Sequence, residues 1–175
     1  MSGDEVPGTS GAPGSGRGPA IDSSASWAQA LRWGFESAIS QGARCITCVD
    51  SGFSGWPLND EDLLTALAAW LRLPMRRLVM LAASYDKVPR EHPRFNGWRG
   101  HWSHAIEPWQ APLEMATDLP CLLLGDQGTV VHLIDAEHWR GRAEISRRAA
   151  HIWQERLDVV LQRSERSFAV NTLGL

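Results

Sequence analysis

ARCITCVDSGFSGWPLNDEDLLTALAAWLRLPMRRLVMLAA, residues 43–83, reads as strand, helix, strand. Residues 43–51 are a β-branched apolar run of strand length that ends in the loop signal SGFSGWP. The helix is expected to open at Asn59, whose side chain can accept a first-turn N–H. Asp60, Glu61 and Asp62 follow where the helix dipole favours anions. Leu58 and Leu63 have the spacing of a hydrophobic staple. Leu63, Leu64, Leu67, Trp70 and Leu71 make the buried stripe, and Pro74 stops it. Residues 77–83 then form a second apolar strand. Two buried strands joined by a helix imply a right-handed crossover and parallel pairing, hence an α/β fold.

Upstream, Trp27, Ala30, Leu31, Phe35, Ala38 and Ile39 predict a helix capped by Ser24 or Ser26 and ended by Gly42. Residues 1–25 are rich in Gly, Pro and Ser and carry almost no large apolar side chain. They are expected to form a disordered tail, with residues 26–175 a single domain. Downstream, residues 90–104 read as a loop or short helix. Residues 105–109 read as a strand, and 119–124 and 129–134 as a hairpin turning at Asp126 and Gly128. A long helix is expected over 143–162, and the final SFAVNTLGL as a short returning strand. The predicted class is a mixed β-sheet with flanking helices.

The chain is 43% hydrophobic, in the globular range, and has no apolar stretch long enough to span a bilayer. Its N-terminus lacks the pattern of a secretory signal, and three cysteines give no disulfide framework. A cytoplasmic protein with no membrane contact is therefore expected. The net charge of −3 hides segregation. Residues 76–104 hold six Lys/Arg against two Asp/Glu, residues 105–139 hold six acids and no Lys or Arg, and residues 140–175 hold seven Arg against four acids. Adjacent faces that neutralise each other are one reading. A basic surface for an anionic partner is the other.

Three constellations carry potential chemistry. Cys45 and Cys48 form a C-x-x-C pair, but inside a strand and without a second metal-ligating pair, so they read as core residues. His101, His104 and Glu107 have helical spacing, but Pro108 interrupts it, so no metal site is assigned and no cofactor is expected. The most informative segment is HPRFNGWRGHWSHAIE, residues 92–107. His92, Arg94, Trp98, Arg99, His101 and His104 interleave cations with aromatics, a pattern that can hold phosphate and stack on bases. Alternatively, Phe95, Trp98 and Trp102 anchor the segment while Arg94 and Arg99 pair with Asp50, Asp86 or Asp126. Trp56, Trp109 and Trp139 fall in loops or at element ends, where a shared face would be a partner surface.

This element order resembles one half of a phospholipase D-like fold. The segment 92–107 resembles a motif of small, uncharacterised proteobacterial proteins that are degenerate members of that superfamily. The resemblance covers residues 44–175. It implies pairing with another half, hence a homodimer or a protein partner. It also implies a His-x-Lys-x-x-x-x-Asp motif followed by Gly-Ser-x-Asn, in which histidines handle phosphorus and the leaving group and lysines hold the oxygens. With Asp126 as the motif aspartate, the histidine and lysine positions hold Leu119 and Cys121, and TVVHLIDAEHWRG, residues 129–141, contains no Gly-Ser-x-Asn. Catalysis of that type is not expected, and no catalytic residue is assigned. The leading expectation is a non-catalytic binding domain for a phosphate-containing or other anionic ligand, nucleic acid included. Its candidate residues are His92, Arg94, Trp98, Arg99, His101, His104, Asp50 and Asp126. The rivals are a hydrolase using His92 or His104 as acid and base, and a structural interaction subunit.

Overall fold

The computed structural model describes residues 15–170. The expected tail lies outside the described residues as far as residue 14. From Ser15 the chain is built into the fold: Ser15–Arg17 is an edge strand (β1), and Ile21 is buried. Helix α1 (Ser24–Ser40) is capped one residue earlier than expected, by Ser23, in a capping box with Ser26: Ser26 N donates to Ser23 Oγ (3.1 Å) and Ser23 N to Ser26 Oγ (2.9 Å). Strand β2 (Cys45–Asp50) leads to α2 (Glu61–Leu71) and β3 (Arg77–Ala82). The cap of α2 is Asp60, which accepts from the N–H groups of Asp62 and Leu63. Asn59, the expected cap, instead accepts from the Arg94 N–H at 2.9 Å.

Two short helices, α3 (Val88–Glu91) and α4 (Pro93–Trp98), and a 3₁₀ turn over Arg99–Trp102 connect to β4 (Ile106–Gln110). After α5 (Leu113–Ala116), β5 (Cys121–Gly125) and β6 (Thr129–Asp135) form the expected hairpin. Where a helix was expected from residue 143, the chain first makes another strand, β7 (Arg140–Ser146). Helix α6 (Arg147–Leu161) and the two-residue strand β8 (Glu165–Arg166) follow. No helix among the described residues is long and apolar enough to cross a membrane.

All eight strands join one mixed sheet in the order β1-β7-β6-β5-β2-β3-β4-β8. The strands β2, β3 and β4 run parallel, and the remaining pairings are antiparallel. Side chains alternate between the two faces. One face carries Ile46, Cys48, Leu78, Met80, Leu123 and Val131 beneath α1, α2 and the α3–α4 connection. The other carries Val49, Leu81, Leu122, Leu124 and Val130 beneath α6, which contributes Ala150 and Leu157. Trp27, Phe35, Phe53 and Phe95 are fully buried on the first face, and each such side chain contributes roughly 1.5–3 kcal/mol of burial energy. Trp56, Trp109 and Trp139, which would mark a partner surface if they shared a face, do not share one. Trp56 is buried edge-on to Trp27 and Phe53, Trp139 packs on the first core, and Trp109 packs on the second.

Candidate functional site

The connection from β3 to β4 crosses one face of the sheet, and helical periodicity divides its residues. His92, Phe95 and Arg99, spaced three and four apart, are buried. Arg94 and Trp98, four apart on the other side of α4, face α2. His101 and His104 lie beyond, exposed near the start of β4. The segment read in the sequence as one patch is thus three separate environments.

The inward group makes internal contacts. The His92 imidazole Nε2 lies 2.8 Å from the Phe53 carbonyl; a carbonyl only accepts, so Nε2 carries the proton. Nδ1 is buried without a partner among the described residues. The Arg99 guanidinium donates to the carbonyls of Phe168 (2.7 Å) and Ala169 (3.3 Å) and to Asn96 Oδ1 (3.4 Å), and lies 3.4 Å over the Phe168 ring. Burial holds its pKa below the usual arginine value.

None of the carboxylates expected to pair with these arginines does so among the described residues, and two of them are committed elsewhere. Asp50 accepts from the Gly52 and Phe53 N–H groups and from the Cys121 thiol at 2.8 Å. Asp126 accepts from the N–H groups of Arg44 (3.1 Å) and Cys45 (3.2 Å), pinning the hairpin turn to the start of β2. Asp86 is exposed in a turn, its N–H donating to Ser84 Oγ. Burial, reinforced by Asp50, pushes the Cys121 thiol well up, so it is a neutral hydrogen-bond donor. The positions aligned with a catalytic motif therefore tie strands together: Leu119 packs on the second core, and Cys121 and Asp126 bind β2.

The outward group faces a groove of about 580 Å³ between α2 and α4. Its floor is Leu64, Ala68 and Trp98. Arg94 and Glu61 stand at one end and Arg72 at the other, separated along α2 by about 16 Å of helix. The Arg94 guanidinium is 3.7 Å from Glu61, with side chains 60% and 81% exposed, so the pair is weak and leaves the arginine available. Arg72 forms no ion pair among the described residues. Arg72 and Thr65 were not singled out from the sequence, and Glu61 was read there only as a helix-dipole residue; the signal for them is the four-three-four spacing of Glu61, Thr65, Ala68 and Arg72, which continues one helix face.

Neither histidine proposed as acid or base has a carboxylate partner among the described residues, and they lie at opposite ends of the connection. His101 Nδ1 lies 3.3 Å from the Trp98 carbonyl, and His104 packs on Trp102. Glu107 faces Arg77 (3.8 Å) and Arg166 (3.6 Å). Among the described residues no group of three or more His, Cys, Asp or Glu is arranged to hold a metal.

No family model and no curated protein matches this sequence. Solved structures do match its fold. One is TrmBL2, an archaeal chromatin protein described as showing a novel mode of DNA binding (TM-score 0.55, 14% identity, covering 91% of this chain and 56% of that one). Another is Nuc from Salmonella typhimurium, a phospholipase D family member (TM-score 0.53, 12% identity, covering 79% of this chain and 91% of that one). The chain thus spans just over half the length of the chromatin protein. At these identities the likeness is one of architecture, and the fold is a phospholipase D-like α/β fold.

Proposed function

We propose that this chain is a non-catalytic binding domain on a phospholipase D-like fold, and that it takes a phosphate-bearing ligand with an aromatic ring, such as a nucleotide or a nucleic-acid strand, in the groove between α2 and α4. The observation that carries the reading is the partition of the arginine-aromatic segment. His92 and Arg99 are used internally, whereas Arg94 and Trp98 are presented to an open groove that also receives Arg72. A guanidinium offers phosphate a planar, bidentate fork, and an indole offers a base a stacking surface. The missing nucleophile supports binding without turnover, because Leu119 and Cys121 stand where the superfamily's histidine and lysine would be. DNA binding by the archaeal protein of similar fold is compatible with a nucleic-acid ligand.

The test is fluorescence anisotropy with a labelled oligo-dT and with a labelled ATP analogue, in low and moderate salt. Binding that weakens with salt is expected. The Arg72→Ala/Arg94→Ala double variant should lose about tenfold or more in affinity, the effect of one charge-assisted contact, and Trp98→Ala should weaken the base-bearing probes but not inorganic phosphate. A folded double variant that binds both probes like the wild type would sink the proposal, as would binding that survives high salt unchanged.

A further inference from the structure

Arg99 is a cation inside the fold without an anion beside it. The residue is 6% exposed. Its hydrogen-bond partners, the Phe168 and Ala169 carbonyls and the Asn96 amide oxygen, are all neutral, and it forms no ion pair among the described residues. Buried charges are ordinarily paired, because a carbonyl repays only part of the lost hydration. A guanidinium also has more N–H donors than these contacts use. Beside it lies a cavity of about 430 Å³, distinct from the groove between α2 and α4 and on the opposite side of the α4 segment. Ile106 and Pro108 of β4 give it an apolar wall, Ser103 stands exposed at its mouth, and the strap 167–170 covers it.

The strap is held under tension. Phe168, not a glycine, has a left-handed backbone (φ 50°), and its ring is clamped between Tyr85 (centroids 4.8 Å apart, planes 6° apart) and Arg99. Its other anchors are short: β8 pairs with β4 over two residues, and the Ser167 N–H donates to the Pro108 carbonyl at 3.1 Å.

We infer that the cavity under this strap is a binding site for a small organic monocarboxylate with an apolar body. The carboxylate pairs with Arg99 and accepts from the hydroxyl of Ser103, since the Ser167 hydroxyl already donates to Gln110 Oε1 at 2.9 Å. The apolar part rests on Ile106 and Pro108. A single negative charge matches the single buried guanidinium, whereas a phosphate dianion would carry surplus charge against an apolar wall. The strap is the cover that admits the ligand.

The experiment is thermal unfolding of the full chain with sodium isovalerate and sodium benzoate, against isovaleramide and benzamide at matched ionic strength. At least one acid should raise the melting temperature in a saturable way, and neither amide should. Arg99→Met should abolish the response. A side chain at Gly100 points toward Val170, where its Cβ would make an ordinary 3.6 Å contact. Gly100→Leu therefore fills the cavity without touching the contacts of Arg99, and should also abolish the response. No response to either acid, an equal response to the amides, or a response that survives Gly100→Leu overturns the inference. The Gly100 variant decides the matter even if Arg99→Met fails to fold.

Discussion

Removing the Asp50 carboxylate should loosen the whole end of the sheet from which the 51–58 loop departs. Its Oδ2 accepts from the Gly52 N–H at 2.9 Å and from the fully buried Phe53 N–H, and its Oδ1 accepts from the Cys121 thiol at 2.8 Å. The two backbone bonds hold a loop that places Phe53 and Trp56 in the core, rings 5.1 Å apart, with Phe53 in the left-handed region at φ 61°. Asp50→Ala leaves two backbone donors, one buried and one half-buried, unsatisfied, each costing about 1–3 kcal/mol, so the expected loss is roughly 2–6 kcal/mol. With a urea slope of about 2 kcal/mol/M for a domain of this size, the unfolding midpoint should fall by roughly 1–3 M. Asp50→Asn retains an acceptor for the backbone but sets its own N–H₂ against a donor, and should fall between the wild type and Asp50→Ala. Cys121→Ala removes only the third donor and should cost about 1–2 kcal/mol including its cavity. A stability for Asp50→Ala within about 0.5 kcal/mol of the wild type, or a greater loss from Cys121→Ala than from Asp50→Ala, would refute the assignment of Asp50 as the anchor of the loop.

Other outcomes follow from single sites. A methyl group on Gly34 of α1 would sit 2.7 Å from Val131 Cγ2 and 3.1 Å from Leu123 Cδ2; Gly34→Ala should cost about 1–3 kcal/mol by calorimetry despite the better helix propensity of alanine. The Leu63 N–H, then Arg32, holds the Asp60 carboxyl below its ordinary 3.8. Asp60→Ala should cost about 1–2 kcal/mol at pH 7. Because a depressed carboxyl stabilises the fold above its unfolded value, that cost should shrink as the pH falls below 3.8 and through the lower folded value. Burial, then Arg156, holds the His132 imidazole below its ordinary 6.5. The unfolded chain therefore protonates first, and wild-type stability should decline as the pH drops through 6.5, a slope that His132→Phe should flatten in urea titrations. The Cys48 and Cys121 thiols, pushed up by burial, should react with iodoacetamide only after unfolding.

The parts of the fold legible in the sequence are those whose burial is strongly one-sided or complete. The βαβ unit over residues 45–82 has apolar runs buried on both faces and a periodic helix between them, so residue type alone locates it. β7 was hidden because two of its inward residues, Gly141 and Ala143, are the smallest available. Gly141, Ala143 and Ile145 alternate as a strand should, but a Cβ at Gly141 would lie 2.6 Å from the His132 carbonyl and 2.9 Å from Ile21, so the close approach that makes the strand necessary also removes its hydrophobic signal. β1 and β8 exist through backbone pairing with β7 and β4, which Ser-Gly-Arg and Glu-Arg cannot announce. The shift of the α2 cap from Asn59 to Asp60 has a tertiary cause, since Asn59 is needed by the Arg94 N–H. The candidate segment was open to two readings, a ligand surface or an internal anchor, and the structure divides its residues between interior and surface. Its division follows from the three-and-four spacing of His92, Phe95 and Arg99, a pattern available in the sequence once the segment is taken as helical.

The segregated charge can now be resolved into pairs. Glu107, in the acidic block, faces Arg77 of the preceding basic block and Arg166 of the following one, and Glu114 meets Arg163 at 2.9 Å. Neutralisation between neighbouring blocks is therefore real, and it accounts for those three arginines. It does not reach Arg72, Arg94 or Arg99. Arg94 leans on a single highly exposed carboxylate, Arg99 has only neutral partners, and Arg72 has no ion pair among the described residues. Exposed arginines without partners, such as Arg90, cost little in water and need no explanation. Arg72 and Arg94 differ because they bracket an apolar groove, and Arg99 because it is buried. In each case the cation stands where solvent alone does not easily balance it, and an anionic ligand would.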